Sequence, residues 1–354
     1  MTDLIDTPKV TAWLDAALPQ LGDGPLTARL LTGGATNAVF KIDRGGKPAV
    51  LRRPPAALRP DSEKILAREA RVLNALNGTD VPRPEFYAAC EDRAVNGSQF
   101  YVMEFVEGWV ALDGEPNPPA FQSHEQRRKL PFELVSGIAR LSNVDYRAVG
   151  LEGFGKPENF LARQVDRWLG QLASYKEFED YEGRPLPGLD VIVGWLRANI
   201  PQDGRIGVIH GDYGFANAMF ALDAPAKLVA MVDWELSTIG DPLLDLGWLM
   251  YARPSEDGEI PVPDISQADD AYPLREELVD HYAQLSGRPV RHLTYYMVLA
   301  QFKLLSLLER FYARSLNGKA PAEKGEYFGR LVLDLLRSAS AMVERDNRER
   351  GIRT

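Results

Sequence analysis

The chain has little of several things that narrow its function. Cys90 is the single cysteine among 354 residues, which rules out a disulfide framework. Four histidines are present, and His124, His281 and His292 show no metal-ligand spacing. No stretch approaches the roughly 18 consecutive apolar residues of a membrane-spanning helix. The opening MTDLIDTPKV lacks the charged and apolar segments of a secretory signal, so a cytoplasmic protein is expected. There is no basic run, and the net charge is −9, which argues against a nucleic-acid partner. No internal repeat or low-complexity tract is visible. What remains is a chain with 45% hydrophobic residues, long enough for a substantial core in one large or two ordinary domains.

The richest stretch runs from Val208 to Leu246 and contains VIHGDYGFANAMF and LVAMVDWELSTIGDPLLDL. An apolar run delivers His210-Gly211-Asp212, Asn217 follows, and a second apolar run from Leu228 to Val232 ends in Asp233. Two carboxylates and an amide thus stand at the ends of two short strand-like segments, where a scaffold can hold acidic groups. Phosphoryl transfer needs such a set. Asp212 suits the carboxylate that takes a hydroxyl proton, and Asn217 and Asp233 suit oxygen ligands of Mg²⁺. The spacing of His210, Asp212 and Asn217 matches the catalytic loop of protein kinases, with glycine in place of arginine. A lone Asp-rich turn capping the next helix would give the same triplet; Asp233 at the end of a second strand argues against that reading.

This segment resembles the aminoglycoside phosphotransferase/choline kinase superfamily, and within it the branch of kinase-like domains fused to acyl-CoA dehydrogenases. The resemblance implies an α+β, two-lobed protein-kinase-like fold, with an antiparallel five-stranded N-lobe and a mainly helical C-lobe. It implies ATP and Mg²⁺ as cofactors and a small-molecule hydroxyl acceptor as partner. The branch is associated with hydroxy acids or their thioesters. An aminoglycoside or other antibiotic kinase, or a catalytically weak nucleotide-binding module, are the alternatives.

The order of elements agrees with this. Thr7-Pro8 opens an amphipathic helix, with Thr7 as cap. Strand-like runs follow at Leu26–Leu31, Ala38–Ile42 and Ala49–Arg53, the last two joined by the turn Arg44-Gly45-Gly46-Lys47. Gly33 and Gly34, with Thr36 and Asn37, form a connection whose backbone N–H groups suit phosphate oxygens; an ordinary turn explains the glycines equally. Arg52 or Arg53 stands where the superfamily carries a phosphate-pairing lysine. Strand alternation puts only one of them on each face, and Arg52 is the choice. Glu69 lies on the apolar stripe of a helix over Ser62–Leu76, so it needs a partner there, and the kinase-like resemblance pairs it with Arg52. Phe86–Cys90 and Gln99–Val106 complete five strands. The chain around Glu104, Phe105 and Val106 resembles a kinase hinge, whose backbone meets the adenine edge.

From Gly108 the character changes to long helical periods: Glu125–Val144, Glu158–Tyr175, Leu189–Asn199, Asp241–Tyr251, Arg275–Leu285, His292–Leu316 and Glu323–Glu344. The boundary divides a nucleotide-binding lobe, 1–107, from a catalytic and acceptor-binding lobe, 108–354. All of the net negative charge falls after residue 105. His210 is expected to orient the catalytic loop, and Asp241 and Asp245 to brace it. Acceptor-side candidates are Tyr213, Glu235, Gln164, Arg167 and Trp168. The bland reading is that Trp168 is core and Arg167 is solvated.

Overall fold

In the sequence AVFKID every second residue is buried, the period of a strand with one face on a core. The computed structural model describes residues 4–33, 37–55, 60–112, 116–256, 262, 269 and 271–352. Its elements run α1 (Thr7–Ala17), β1 (Thr27–Gly33), β2 (Ala38–Asp43), β3 (Ala49–Arg53), α2 (Ser62–Ala75), β4 (Phe86–Cys90), α3 (Arg93–Asn96), β5 (Phe100–Glu104) and β6 (Trp109–Val110). They continue with α4 (His124–Arg127), α5 (Lys129–Asn143), α6 (Phe160–Ser174), α7 (Leu189–Ala198), β7 (Gly207–Ile209), β8 (Ala218–Phe220) and β9 (Leu228–Met231). β10 (Thr238–Gly240), α8 (Leu243–Met250), α9 (Arg275–Ser286), α10 (Leu293–Leu316) and α11 (Ala322–Glu349) complete the chain. These fall into two compact units, one of Met1–Ala111, Asp145–Phe154 and Phe215–Ser237, the other of Leu112–Val144, Gly155–Gly214 and Thr238–Thr354.

The first unit is built on the five-stranded antiparallel sheet, ordered β1-β2-β3-β5-β4. Val10 and Leu14 of α1 close one face against Phe40, Leu51, Phe100 and Val102. Trp13 meets Phe100 edge-on with ring centroids 4.9 Å apart, a geometry that adds about 0.5–1.5 kcal/mol beyond area burial. The cap of α1 is Asp6 rather than Thr7. Its carboxylate accepts the Lys9 N–H at 3.3 Å, and Thr7 becomes the first helical residue. On α2 the buried residues Leu66, Glu69, Ala70, Val72 and Leu73 form a single stripe with one charge in it. A small three-stranded sheet, β6-β8-β9, also belongs to this unit.

The second unit is helical, with a two-stranded sheet of β7 and β10. The helix expected over Glu125–Val144 is broken at Arg128 into α4 and α5. Pro131 explains the break: it has no N–H to give to a preceding turn, so it is tolerated only in the first turn of a new helix. α10 is buried over most of its length and packs on α6, α8 and α11. The approach of α8 to α10 depends on Gly247, where a Cβ would lie 2.6 Å from the Tyr296 backbone.

One other expectation is redrawn. β5 ends at Glu104, two residues earlier than the apolar pattern suggests. The two strand-like segments around the His210 motif do not pair with each other. β7 pairs with β10, whereas β9 pairs with β8, a strand the sequence did not announce.

Candidate functional site

In the first unit the site starts from β3. All five of its residues are buried, so both of its arginines leave water, one on each face. Arg53 spends its guanidinium on backbone carbonyls, those of Pro54 at 3.2 Å, Asn96 at 3.4 Å and Leu4. Arg52 faces α2 and the end of β9. Its Nε lies 3.0 Å from Glu69 Oε2, and its Nη2 lies 2.8 Å from Asp233 Oδ1. The charges at Glu69 and Arg52 are matched inside the unit, as burial requires. Burial pushes the Glu69 carboxyl up to about 7, with Arg52 pulling it back and Asp233 and Glu235 adding to the rise. Burial also disfavours the Arg52 charge, but Glu69, Tyr101 and Asp233 outweigh it, and the guanidinium stays firmly protonated. Burial and the neighbouring Glu69 hold the Tyr101 phenol well above its usual range.

Asp233 is brought there by its own turn. It takes a left-handed conformation, φ 67 and ψ 63, which an aspartate tolerates better than a bulky residue. The next residue anchors it: Trp234 is buried, and its indole N–H donates to the Met231 carbonyl at 2.9 Å. Pairing of Ala218 with Met231 carries Asn217 to the same end of the β8–β9 hairpin, where the Val232 N–H donates to the Asn217 carbonyl at 3.0 Å. One carboxylate and one amide oxygen at a hairpin end fit a Mg²⁺ that completes its shell with water and phosphate oxygens. The Asp233 side chain, 37% exposed, is open for that use. Among the described residues no group of three or more His, Cys, Asp and Glu forms a metal cage.

The remaining candidates of this unit are placed as follows. Gly33 ends β1 opposite Ala38, and Asn37 is buried; Gly34 and Thr36 lie outside the described residues. Glu104 holds the Glu85 N–H with its carboxylate at 3.2 Å and faces Lys47 at 3.5 Å. The Phe105 ring lies 4.0 Å from Lys41 Nζ, and Val106 is half-buried. Glu235 is half-buried beside Glu69.

In the second unit the site is the turn that leaves β7. His210 is fully buried, and Gly211 has φ +87, a conformation that favours glycine. Two successive N–H groups of this turn, those of His210 and Gly211, donate to the two oxygens of Asp245 at 2.7 and 2.9 Å. The Asp212 N–H donates to His210 Nδ1 at 3.4 Å. Burial raises the Asp245 carboxyl to about 6; the N–H groups of Gly211 and His210 and the Lys303 charge work against the rise, and Asp212 adds to it. Asp241, one turn before, accepts the Leu243 N–H at 3.0 Å and the Tyr296 hydroxyl at 2.7 Å, so it both starts α8 and ties it to α10.

The acceptor-side candidates differ in accessibility. Tyr213 is wholly buried against His210, with ring centroids 5.4 Å apart, and presents no surface to an acceptor. Gln164 is buried and donates to the Phe160 carbonyl of its own helix at 3.2 Å; Trp168 is buried beside it. Arg167 is exposed, with its guanidinium 4.9 Å from the Trp168 ring centroid. A residue outside the sequence candidates joins the turn: Lys303 of α10 is buried and its Nζ donates to the Gly211 carbonyl. A charge in the buried pattern YYMVLAQFKLLSLL was the available signal, the same one that singled out Glu69.

The fold is that of kinase-like phosphotransferases. Residues 27–279 match the model of the phosphotransferase enzyme family, and the chain belongs to that family. Among solved structures, a Ralstonia eutropha protein assigned as an aminoglycoside phosphotransferase aligns with TM-score 0.80 and 30% identity, over 96% of this chain and 98% of its own. Choline kinase from Cryptosporidium parvum shares the fold, with TM-score 0.58 and 13% identity over 98% of this chain and 97% of its own. So does the spectinomycin phosphotransferase solved with ADP and spectinomycin, at TM-score 0.56 and 11% identity over 96% of this chain and 98% of its own. Acyl-CoA dehydrogenase family member 11 of Homo sapiens is 30% identical over 355 residues, 96% of this chain and 43% of the relative. The Gallus gallus protein of the same name is 30% identical over 335 residues, 92% of this chain and 42% of the relative. The chain thus spans about two-fifths of the length of these curated relatives.

Proposed function

We propose that the protein is an ATP-dependent, Mg²⁺-requiring small-molecule kinase of the cytoplasm, and that its acceptor is a hydroxy acid or hydroxyacyl thioester. The observation that carries the reading is the Arg52 guanidinium bridging Glu69 at 3.0 Å and Asp233 at 2.8 Å. A cation fixed this way by a helix carboxylate serves phosphate oxygens, and arginine makes that contact with two parallel N–H groups. Asn217 and Asp233 are the metal ligands; the metal bound there supplies positive charge to the phosphate oxygens. Gly33 and Asn37 border the phosphates, and the backbone around Glu104, Phe105 and Val106 meets the adenine. Asp212 receives the proton of the acceptor hydroxyl while that oxygen bonds to the γ-phosphorus. The bond from the γ-phosphorus to the bridging oxygen breaks, and its electron pair leaves with ADP.

Two observations support an anionic acceptor. Lys303 acts electrostatically on Asp212 and Asp245 and meets the Gly211 carbonyl before Asp212, and a cation beside the base favours a carboxylate over a polycationic aminoglycoside. The similarity to acyl-CoA dehydrogenase family members points the same way, to acids carried as thioesters. Phosphate transfer from labelled ATP, measured over hydroxy acids, hydroxyacyl-CoAs, amino alcohols and aminoglycosides, tests this. Transfer is expected to the first two classes only. Turnover of an aminoglycoside above both of them refutes the acceptor class, and metal-dependent hydrolysis indifferent to ATP refutes the kinase.

A further inference from the structure

Lys303 sits in the interior of α10, among the buried residues Leu299, Phe302 and Ser306. An ammonium in such a place is costly unless it is matched. Its Nζ donates to the Gly211 carbonyl and lies 4.2 Å from the centroid of the Trp248 ring, so backbone and aromatic face share the charge. Asp212 from the turn and Asp245 from α8 favour the charged form; burial and Arg167 from α6 disfavour it. Asp245 meanwhile holds the N–H groups of His210 and Gly211. The turn is therefore gripped from both sides, with its amides on a carboxylate and its carbonyl on an ammonium.

We infer that Lys303 is a positioning residue for Asp212: it fixes the Gly211 carbonyl that precedes Asp212 and supplies a positive charge to a turn that carries one carboxylate and is held by another. This rests on the kinase reading, in which Asp212 is the proton acceptor. Asp245 and Asp212 repel each other, since Asp212 pushes the Asp245 carboxyl up. A nearby cation offsets that repulsion, and a neutral side chain does not. A hydrogen-bond donor alone would meet the carbonyl but leave the repulsion of the two carboxylates to loosen the turn, so the charge is what distinguishes this role from packing.

The test uses the full chain with Lys303→Met, Lys303→Gln and Lys303→Arg. Lys303→Met is expected to lower kcat about 100-fold, the size of effect seen when one preorganised electrostatic donor is removed. KM for MgATP should stay within about twofold, because the loss lies in the chemical step. Lys303→Gln, which keeps a donor without charge and suits the case in which the methionine variant does not fold, should show the same loss. Lys303→Arg should restore turnover to within about tenfold of the parent. A glutamine variant as fast as the parent, or an arginine variant as slow as the glutamine one, overturns the inference. Hydrogen exchange of residues 207–214 decides independently of turnover. It should quicken in Lys303→Gln and not in Lys303→Arg, and unchanged exchange in Lys303→Gln rejects the assignment. A parent chain that transfers no phosphate to any acceptor would instead sink the kinase reading, with the exchange result still standing.

Discussion

The two units of this protein each hold a buried acid, and they hold it by different means. Glu69 is matched by a side-chain cation, Arg52, which also reaches Asp233. Asp245 is matched chiefly by two backbone N–H groups of the turn that carries Asp212. The ion-pair chain joins a strand, a helix and a hairpin end, so it fixes charges relative to one another. The amide clamp fixes the path of the main chain. A group that must meet a mobile phosphate suits the first arrangement, whose side chains can exchange one partner for another. A base that must accept a proton from one direction suits the second, whose geometry is set by the backbone.

The largest effect should separate the groups that react from those that hold. In the kinase reading Asp212→Asn removes the proton acceptor and leaves the amide clamp intact. Turnover should fall by about 10⁴-fold, the upper end for a general base, with ATP affinity and thermal stability unchanged; residual turnover near the parent's would remove Asp212 from the reaction. The next largest effect tests the ion-pair chain. Arg52→Met strands Glu69 as an unmatched buried acid and should cost about 3–5 kcal/mol of stability in urea unfolding. Combining it with Glu69→Leu should return most of that stability, since two apolar residues replace the pair, while phosphate transfer stays lost. If the double variant is as unstable as the single one, the match between Arg52 and Glu69 is not what the fold depends on.

Much of the fold was legible because it is local. The alternation of β2, the stripe of α2 and the turn at Arg44–Lys47 each declare themselves within a few residues, and all five strands of the main sheet follow from such patterns. Glu69 stood out as a charge in an apolar stripe, and the kinase-like resemblance paired it with Arg52, whose Nε lies 3.0 Å from its carboxylate. What stayed hidden depended on distant segments. β8 is three residues long and exists because β9 and β6 lie on either side of it. The contact of Lys303 with the Gly211 carbonyl spans 92 residues of sequence. α10 is buried on nearly every side, so a charge in its apolar sequence marks Lys303 without saying which distant segment it faces. Tyr213 follows the motif directly, but adjacency in sequence did not say which way its ring points.

The smallest effect sharpens the amide side of the comparison, through pH. The Asp245 carboxyl stands at about 6 in the folded chain, against an ordinary 3.8, so the folded protein binds that proton more tightly than the unfolded one does. The stability it contributes is fully present below the ordinary value and is lost as pH rises through about 6. The amide that replaces this carboxyl in the Asp245→Asn variant has no proton to lose. The exchange of a two-oxygen acceptor for a one-oxygen acceptor should cost about 1–3 kcal/mol where the parent is protonated. Between pH 4.5 and 7 the parent's advantage over the variant should then shrink, by at most about 3 kcal/mol. Urea unfolding of both proteins at several pH values measures it. An advantage that grows with pH would mean that the two N–H groups outweigh burial, and that the clamp on this turn is strongest with the carboxylate ionised.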